Sequence, residues 1–256
     1  NAAETPNLAT GGTDATTRLA HLSSALPVKA SSLGSVTAGG SPQRLAWHGS
    51  VLYRAVGAKV TGLDTTKGFG TKPTMGGKTV FSWSVPTGSS IHDLAVAAAG
   101  QQIVVATADK STQLHLVEIS TGKALWARGG LAAPSHRIAW RPNGSELLAT
   151  GGKSGVQVLS ALTGKTTFAL QGHLTTVTAV AWSKSGDRML TASRDGAVRL
   201  WQRSAKGVAG IATSIRHCPW PCSGMGGVVA VAFRPPAATD WLTVGADGGV
   251  IGWRMQ

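Results

Sequence analysis

Acidic residues are scarce in this 256-residue chain. Eleven Asp and Glu stand against twenty-four Lys and Arg, a formal charge of +13. Charged residues are only 14% of the chain, which excludes a disordered polyelectrolyte. Cysteine is nearly missing too. Cys218 and Cys222 are too few for a disulfide framework, so an intracellular, reducing compartment is expected. Aromatic residues are 5%, with one Tyr and four Phe. That argues against a nucleic-acid stacking platform, which needs exposed rings. No apolar run approaches the roughly 20 residues that span a bilayer, so no transmembrane segment is expected. The opening residues lack the basic start and apolar core of a secretory signal. Asn1 rather than Met stands first, so a processed, truncated or incompletely traced chain is expected.

What is present points to a packed core. Hydrophobic residues are 42%, glycine numbers 34, and nine of the aromatics are Trp. The length allows one large domain or two small ones.

A repeat narrows this choice. The clearest unit begins at Gly172-His173 and continues through Val177-Thr178-Ala179-Val180-Ala181-Trp182. A turn at Lys184-Ser185-Gly186-Asp187 follows, then Met189-Leu190-Thr191-Ala192-Ser193. A second turn, Arg194-Asp195-Gly196, leads to Ala197-Val198-Arg199-Leu200-Trp201. Short, β-branched runs between Gly/Asp turns predict antiparallel strands joined by hairpins. The strand-ending triplet recurs as Leu45-Ala46-Trp47, Ile138-Ala139-Trp140, Val180-Ala181-Trp182 and Val231-Ala232-Phe233, with Leu94-Ala95-Val96 a weaker copy. A tight-turn acid recurs as Asp14, Asp109, Asp195 and Asp247, with Ser154 in the same place. Six residues further on stand Ala20, His115, Trp201, Trp253 and Ser160. A Gly-Lys-x-x-aromatic start recurs at Gly77, Gly122 and Gly164. Three registers sharing one period argue against chance alignment.

On these residues the chain resembles the WD-repeat β-propeller family, most strongly over 164–202 and least before residue 90. The repeat layout also loosely resembles transducin-β-like proteins of the small-subunit processome. The resemblance implies an all-β propeller with one four-stranded blade per repeat. It also implies that His173, Ser193, Asp195 and Trp201, with Asp247 and Trp253 in a second copy, are a buried hydrogen-bonded set. A buried imidazole and an indole N–H both need partners, and short acceptor side chains at a turn supply them. The dipeptide that names the family is degenerate here, as Trp201-Gln202 and Trp253-Arg254.

Six blade-like units are expected in one domain, over 7–34, 42–86, 89–128, 134–171, 174–216 and 226–256. The first lacks its innermost strand and the last its outermost. Propellers leave no long unprotected edge. Further sequence on either side, another chain over the edges, or a smaller ring with a composite blade would each resolve this. Two insertions break the period. Residues 65–77 form a loop, and 203–227 carry an outer strand at Ile211–Ile215 followed by His217-Cys218-Pro219-Trp220-Pro221-Cys222.

Little in the sequence favours catalysis. His217, Cys218 and Cys222 offer three ligands where a structural zinc site wants four, so an ordinary loop is the better reading. His92 and Asp93 have no nucleophile-elbow serine to serve, and His92 stands where the family has its structural His. Gly11-Gly12 and Gly151-Gly152 lack the spacing and Lys of a phosphate loop. His115 and His136 are isolated. No cofactor, metal or small-molecule substrate is expected. The tryptophans read as core, except Trp220, which no repeat position explains. It is a candidate interface residue, although capping a blade edge is the blander role.

The charge is more informative. At least four acids are committed to tight turns, so the solvent face is poorer still in negative charge. Lys110, Lys153 and Arg194 flank the turn between strands two and three and should share one face. Arg141, Lys184, Arg188 and Arg234 follow the inner strands and should share the opposite face. A solvated surface is the plain alternative. The excess favours an acidic partner, either nucleic-acid backbone or an acidic protein face. The expected function is a non-enzymatic scaffold within a large multi-subunit assembly. A ribonucleoprotein or ribosome-biogenesis particle is the first expectation, with possible RNA contact and a nuclear, nucleolar or cytoplasmic location. A protein-only scaffold of a trafficking, ciliary or membrane-associated complex is the second.

Overall fold

Alternation along the strands dictates the architecture. In Arg188–Ser193 the odd residues Met189 and Thr191 point to one side, and Leu190 and Ala192 to the other. Both sides are buried. Such a strand must lie between two other layers, and sheets stacked face to face provide them.

The structure, a computed structural model, describes residues 8–11, 16–22, 30–37, 44–66, 78–109, 113–129, 131, 137–151, 155–204, 209–217, 227–234 and 239–255. Before residue 44 it describes backbone only. All described elements are strands, in six antiparallel sheets. The first holds β1 (Leu8–Gly11), β2 (Thr16–Leu22) and β3 (Ala30–Thr37). The second holds β4 (Arg44–His48), β5 (Val51–Val56), β6 (Lys59–Asp64) and β7 (Thr79–Ser84). The third holds β8 (Ile91–Val96), β9 (Gln102–Thr107), β10 (Leu114–Glu118) and β11 (Ala124–Arg128). The fourth holds β12 (Ile138–Trp140), β13 (Glu146–Gly151), β14 (Gly155–Ser160) and β15 (Thr166–Leu170). The fifth holds β16 (Val177–Trp182), β17 (Arg188–Ser193), β18 (Ala197–Arg203) and β19 (Ala209–Arg216). The sixth holds β20 (Val228–Phe233), β21 (Asp240–Gly245) and β22 (Val250–Arg254). In every sheet, neighbours in sequence are neighbours in space. The first and last sheets have three strands among the described residues.

The chain clusters into two compact units. One comprises residues 1–96, 100–109 and 116–125, and the other comprises 97–99, 110–115 and 126–256. In the first unit, Tyr53, Ala55, Val60 and Phe81 of the second sheet pack on Ile91, Leu94, Ile103 and Val105 of the third. The rings of Tyr53 and Phe81 meet edge to face, with centroids 5.9 Å apart. Burial raises the Tyr53 phenol above its ordinary pKa. In the second unit, Leu148, Val156 and Val158 of the fourth sheet pack on Trp182, Met189 and Trp201 of the fifth. The other side of the fifth, Leu190, Ala192, Val198 and Leu200, packs on Val228 and Trp241 of the sixth.

Inner strands are also tied sheet to sheet. In the first unit the Arg44 Nε donates to the His92 carbonyl at 2.6 Å. In the second, the Arg137 Nε donates to the Thr178 carbonyl at 3.0 Å, and the Thr178 hydroxyl donates to the Val228 carbonyl.

One register differs from the sequence reading. Leu147 pairs with Leu159 as Met189 pairs with Trp201. Leu159, not Ser160, therefore holds the aromatic's place in the fourth sheet. A buried leucine needs no hydrogen-bond partner there, which explains why the aromatic signature is lost.

Candidate functional site

The hairpin between β17 and β18 turns on Gly196, whose φ of 79° suits glycine. Beside it Asp195 closes the turn, its Oδ1 accepting the Ala197 amide at 2.8 Å. Its Oδ2 accepts the Leu174 amide at 3.3 Å and so holds the segment that leads into β16. That segment carries His173, which is buried.

The hub of the buried set is Thr191. Its Oγ1 lies 2.6 Å from the His173 Nε2 and accepts the Trp201 indole N–H at 2.9 Å. Ser193, expected in that role, instead pairs with the Thr175 hydroxyl at 2.7 Å. The reason is the pleat. Trp201 faces Met189 across the ladder, and Thr191 lies on the same side two residues on. Ser193 is two residues further away, at the turn. Burial pushes the His173 pKa down to about 4, Arg199 lowers it further, and Asp195 opposes. The imidazole is therefore neutral at physiological pH.

The sixth sheet repeats this arrangement. The Thr243 Oγ1 lies 2.7 Å from the His217 Nδ1 and accepts the Trp253 indole N–H at 2.9 Å. Asp247 accepts the Gly249 amide at 2.9 Å and stands 3.8 Å from the His217 Nε2. His217, in the connection that follows β19, thus occupies in the sixth sheet the place that His173 has in the fifth. Its Nδ1 is committed to Thr243. Among the described residues no cluster of His, Cys, Asp and Glu could hold a metal ion. Cys218, Cys222 and Trp220 lie outside the described residues, as do Asp14, His136 and Ser154.

The second sheet departs from the pattern. Arg54 pairs with Leu45 as Thr191 pairs with Val180, so a buried arginine takes the hub's place. Burial lowers its guanidinium pKa.

The basic residues divide by environment. Lys184, Arg194 and Arg234 are exposed. Arg141 is half-buried, contrary to its placement on an open face. Its Nη1 meets the Glu146 carboxylate at 3.0 Å, and its guanidinium lies 5.6 Å from the Trp182 ring centroid. Its Nε also donates to the Gly186 carbonyl, so it fastens a turn of the fifth sheet to the fourth. Arg188 is half-buried, its Nε donating to Gln202 at 2.9 Å. Lys110 and Lys153 lie outside the described residues.

Acids show the opposite trend. Glu4 and Asp14 are outside the described residues, which leaves nine of eleven. Glu146 joins Arg141 and Arg203, Asp240 joins Arg254, and Asp187 accepts from Ser183 and Ser185. These bonds hold the Asp187 and Asp240 carboxyls below the usual carboxylate range, the Ser185 and Arg254 contacts being largest. Asp64, Asp195, Asp247 and Glu118 accept local hydrogen bonds, and Asp93 and Asp109 are also engaged.

Residues 164–202 match the family model described as WD domain, G-beta repeat. A chain in the crystal structure of the mitotic checkpoint complex superposes with a TM-score of 0.74 at 14% identity. The match covers 96% of this chain and 70% of that one. The fold is that of a WD-repeat β-propeller. At 14% identity the likeness carries architecture and selects no partner, the small-subunit processome included. In all, 1631 solved chains match this one. No curated protein matches the chain by sequence. Among the described residues, no helix of this propeller is long and apolar enough to cross a membrane.

The tryptophans of the propeller are structural where described. Trp182, Trp201 and Trp241 are buried, and Trp126 donates its N–H to the Ala161 carbonyl at 2.8 Å. Their indoles serve the sheets rather than an open platform.

Proposed function

We propose that this WD-repeat chain is a non-enzymatic scaffold in a multi-subunit assembly, and that the assembly is a ribonucleoprotein. The carrying observation is the imbalance of free charge. All nine described acids are held by partners, while Lys184, Arg194 and Arg234 stand in solvent. The net charge of the chain is +13, a large excess of cationic side chains over acids. Such a surface attracts phosphate backbone without reading bases. The structural neighbour is itself part of a complex, which agrees with a scaffold role. A nuclear, nucleolar or cytoplasmic location follows from this reading.

A pull-down with and without nuclease tests the proposal. Binding of a mixed-sequence RNA, titrated against salt, supplies the direct measurement. Affinity should fall steeply with salt, and Lys184→Glu with Arg234→Glu should flatten that slope by about two charges. Retention of the same protein partners after complete loss of RNA would overturn the ribonucleoprotein and leave a protein-only scaffold.

A further inference from the structure

Two arginines of the fifth sheet share a face with no acid to meet them. In the β18–β19 ladder Arg199 pairs with Ser214, and Ala197 with Arg216. Paired residues project to the same side, so Arg199, Ser214 and Arg216 share a face. Ile215, between the last two, packs toward the sixth sheet, which puts the three on the side of the fourth. Ser214 and Arg216 are exposed, and Arg199 is half-buried. The two arginines are diagonal neighbours, with Cα atoms about 7–8 Å apart.

Arg199 has an unmet demand. Its Nη1 is enclosed and has no hydrogen-bond acceptor. Its guanidinium lies against Gly172, whose φ of 128° suits glycine. A Cβ there would stand 3.4 Å from the Arg199 Cζ, so any other residue would cover the group. Among the described residues neither Arg199 nor Arg216 is in an ion pair.

The second unit has no carboxylate to spare for them. Its acids are Glu146, Asp187, Asp195, Asp240 and Asp247. Glu146 and Asp240 hold other arginines, Asp187 accepts from two serines, and Asp247 faces His217. Asp195 is the acid at this end of the sheet, and its two oxygens accept the Ala197 and Leu174 amides. The undescribed stretches of this unit carry no Asp or Glu in their sequence.

Two guanidinium forks with a hydroxyl between them suit phosphate, which takes paired bonds from arginine and a single one from serine. A third arginine is at hand. The His217 amide donates to the Gly196 carbonyl at 3.0 Å, so Arg216 ends beside the turn that carries the exposed Arg194. One phosphate occupies the first two arginines, and the third calls for another. Successive phosphates are what a nucleic-acid backbone offers and a single phosphorylated side chain does not.

We infer that Arg199, Ser214 and Arg216 form a binding site for the phosphodiester backbone of RNA. The site rests on the ribonucleoprotein reading and gives it a place of contact.

The test is binding of a mixed-sequence single-stranded RNA to the full chain, titrated against salt. Arg199→Gln with Arg216→Gln should weaken binding about tenfold and lower the salt slope by about 0.7 for each charge removed. Arg199→Lys with Arg216→Lys keeps the charge and loses the forks, so the slope should hold while affinity falls. Ser214→Glu places a resident carboxylate between the arginines and should also weaken binding about tenfold, with Ser214→Ala losing less. Ser214 and Arg216 are exposed, so Arg216→Gln and Ser214→Glu should melt like the unaltered chain and report on the site without disturbing the half-buried Arg199. Unchanged affinity and slope in both would overturn the site. If Lys184→Glu with Arg234→Glu still flattens the slope, the RNA reading stands without it. A phosphoserine peptide that binds more tightly than the RNA, and is lost with Arg216→Gln, would overturn RNA as the ligand. No RNA binding by the unaltered chain would overturn the site and the ribonucleoprotein reading together.

Discussion

Replacing Thr191 with valine keeps the shape of the side chain and removes one oxygen. That oxygen meets two buried groups, the Trp201 N–H at 2.9 Å and the His173 Nε2 at 2.6 Å. Met189, Trp182 and Leu148 pack around Trp201, and His173 is buried beside it. Neither has room to reach water. Each orphaned group costs about 1.5 kcal/mol, so the substitution should destabilise the protein by about 3 kcal/mol. With a urea dependence of about 3 kcal/mol per molar, the midpoint should fall by about 1 M. Thr191→Ser, which keeps the oxygen and loses a buried methyl, should cost only about 1 kcal/mol. A double-mutant cycle with Trp201→Phe isolates the indole bond. In the phenylalanine background the valine should cost about 1.5 kcal/mol less. A midpoint shift under about 0.2 M for Thr191→Val, or no coupling to Trp201→Phe, would refute the hub assignment.

Three further outcomes follow from the same structure. The His173 pKa of about 4 lies below the ordinary 6.5, so the unfolded chain binds more protons between those values. Stability from this group is therefore complete above pH 6.5 and is lost progressively toward pH 4, by about 3 kcal/mol in all. His173→Gln should flatten that part of the profile in urea titrations from pH 7 to 4, and an unchanged profile would exclude the assignment. Glu146 bridges Arg141 at 3.0 Å and Arg203 at 2.8 Å, its own side chain only 8% exposed. Glu146→Ala should cost about 3 kcal/mol by thermal or urea unfolding, because two half-buried guanidinium groups lose their counter-charge. At Gly245 a Cβ would run into the Asp247 carboxylate and stand 2.5 Å from the His217 Nε2. Gly245→Ala should raise amide exchange in β21 and β22 and leave β17 and β18 protected, as read by hydrogen-exchange mass spectrometry.

The propeller was legible because its strongest signals are local. A turn acid is followed six residues later by an aromatic, and an inner strand ends in an apolar-Ala-aromatic triplet. Both recur within a single hairpin. Thr191 was not singled out, since Ser193 stands closer to Asp195 and side-chain bonding follows the pleat rather than proximity in sequence. The spacing that finds it was present: Thr191 and Thr243 each stand four residues before the turn Asp and ten before the Trp. His217 escaped for a different reason. Its hydroxyl partner lies 26 residues away, against 18 for His173, so a fixed period assigns it to an insertion. Arg54 could not be anticipated at all, because the second sheet keeps the ladder register and abandons the side-chain code. Charge sign was readable from composition. Arg141 looked free beside a turn, however, and only the fold reveals that Glu146 and Trp182 claim it.

The ties from Arg137 to Thr178 and from Thr178 to Val228 link each sheet of the second unit only to the next. Cohesion in such a stack is a nearest-neighbour quantity. Among the described residues of this unit the fifth sheet is packed on both sides and must break two interfaces to open. Opening should therefore begin outside the fifth sheet, giving a gradient of amide protection that rises from β22 toward β17. Anything that settles on the last sheet would act as a cap on that gradient. It would slow exchange several strands away without touching them.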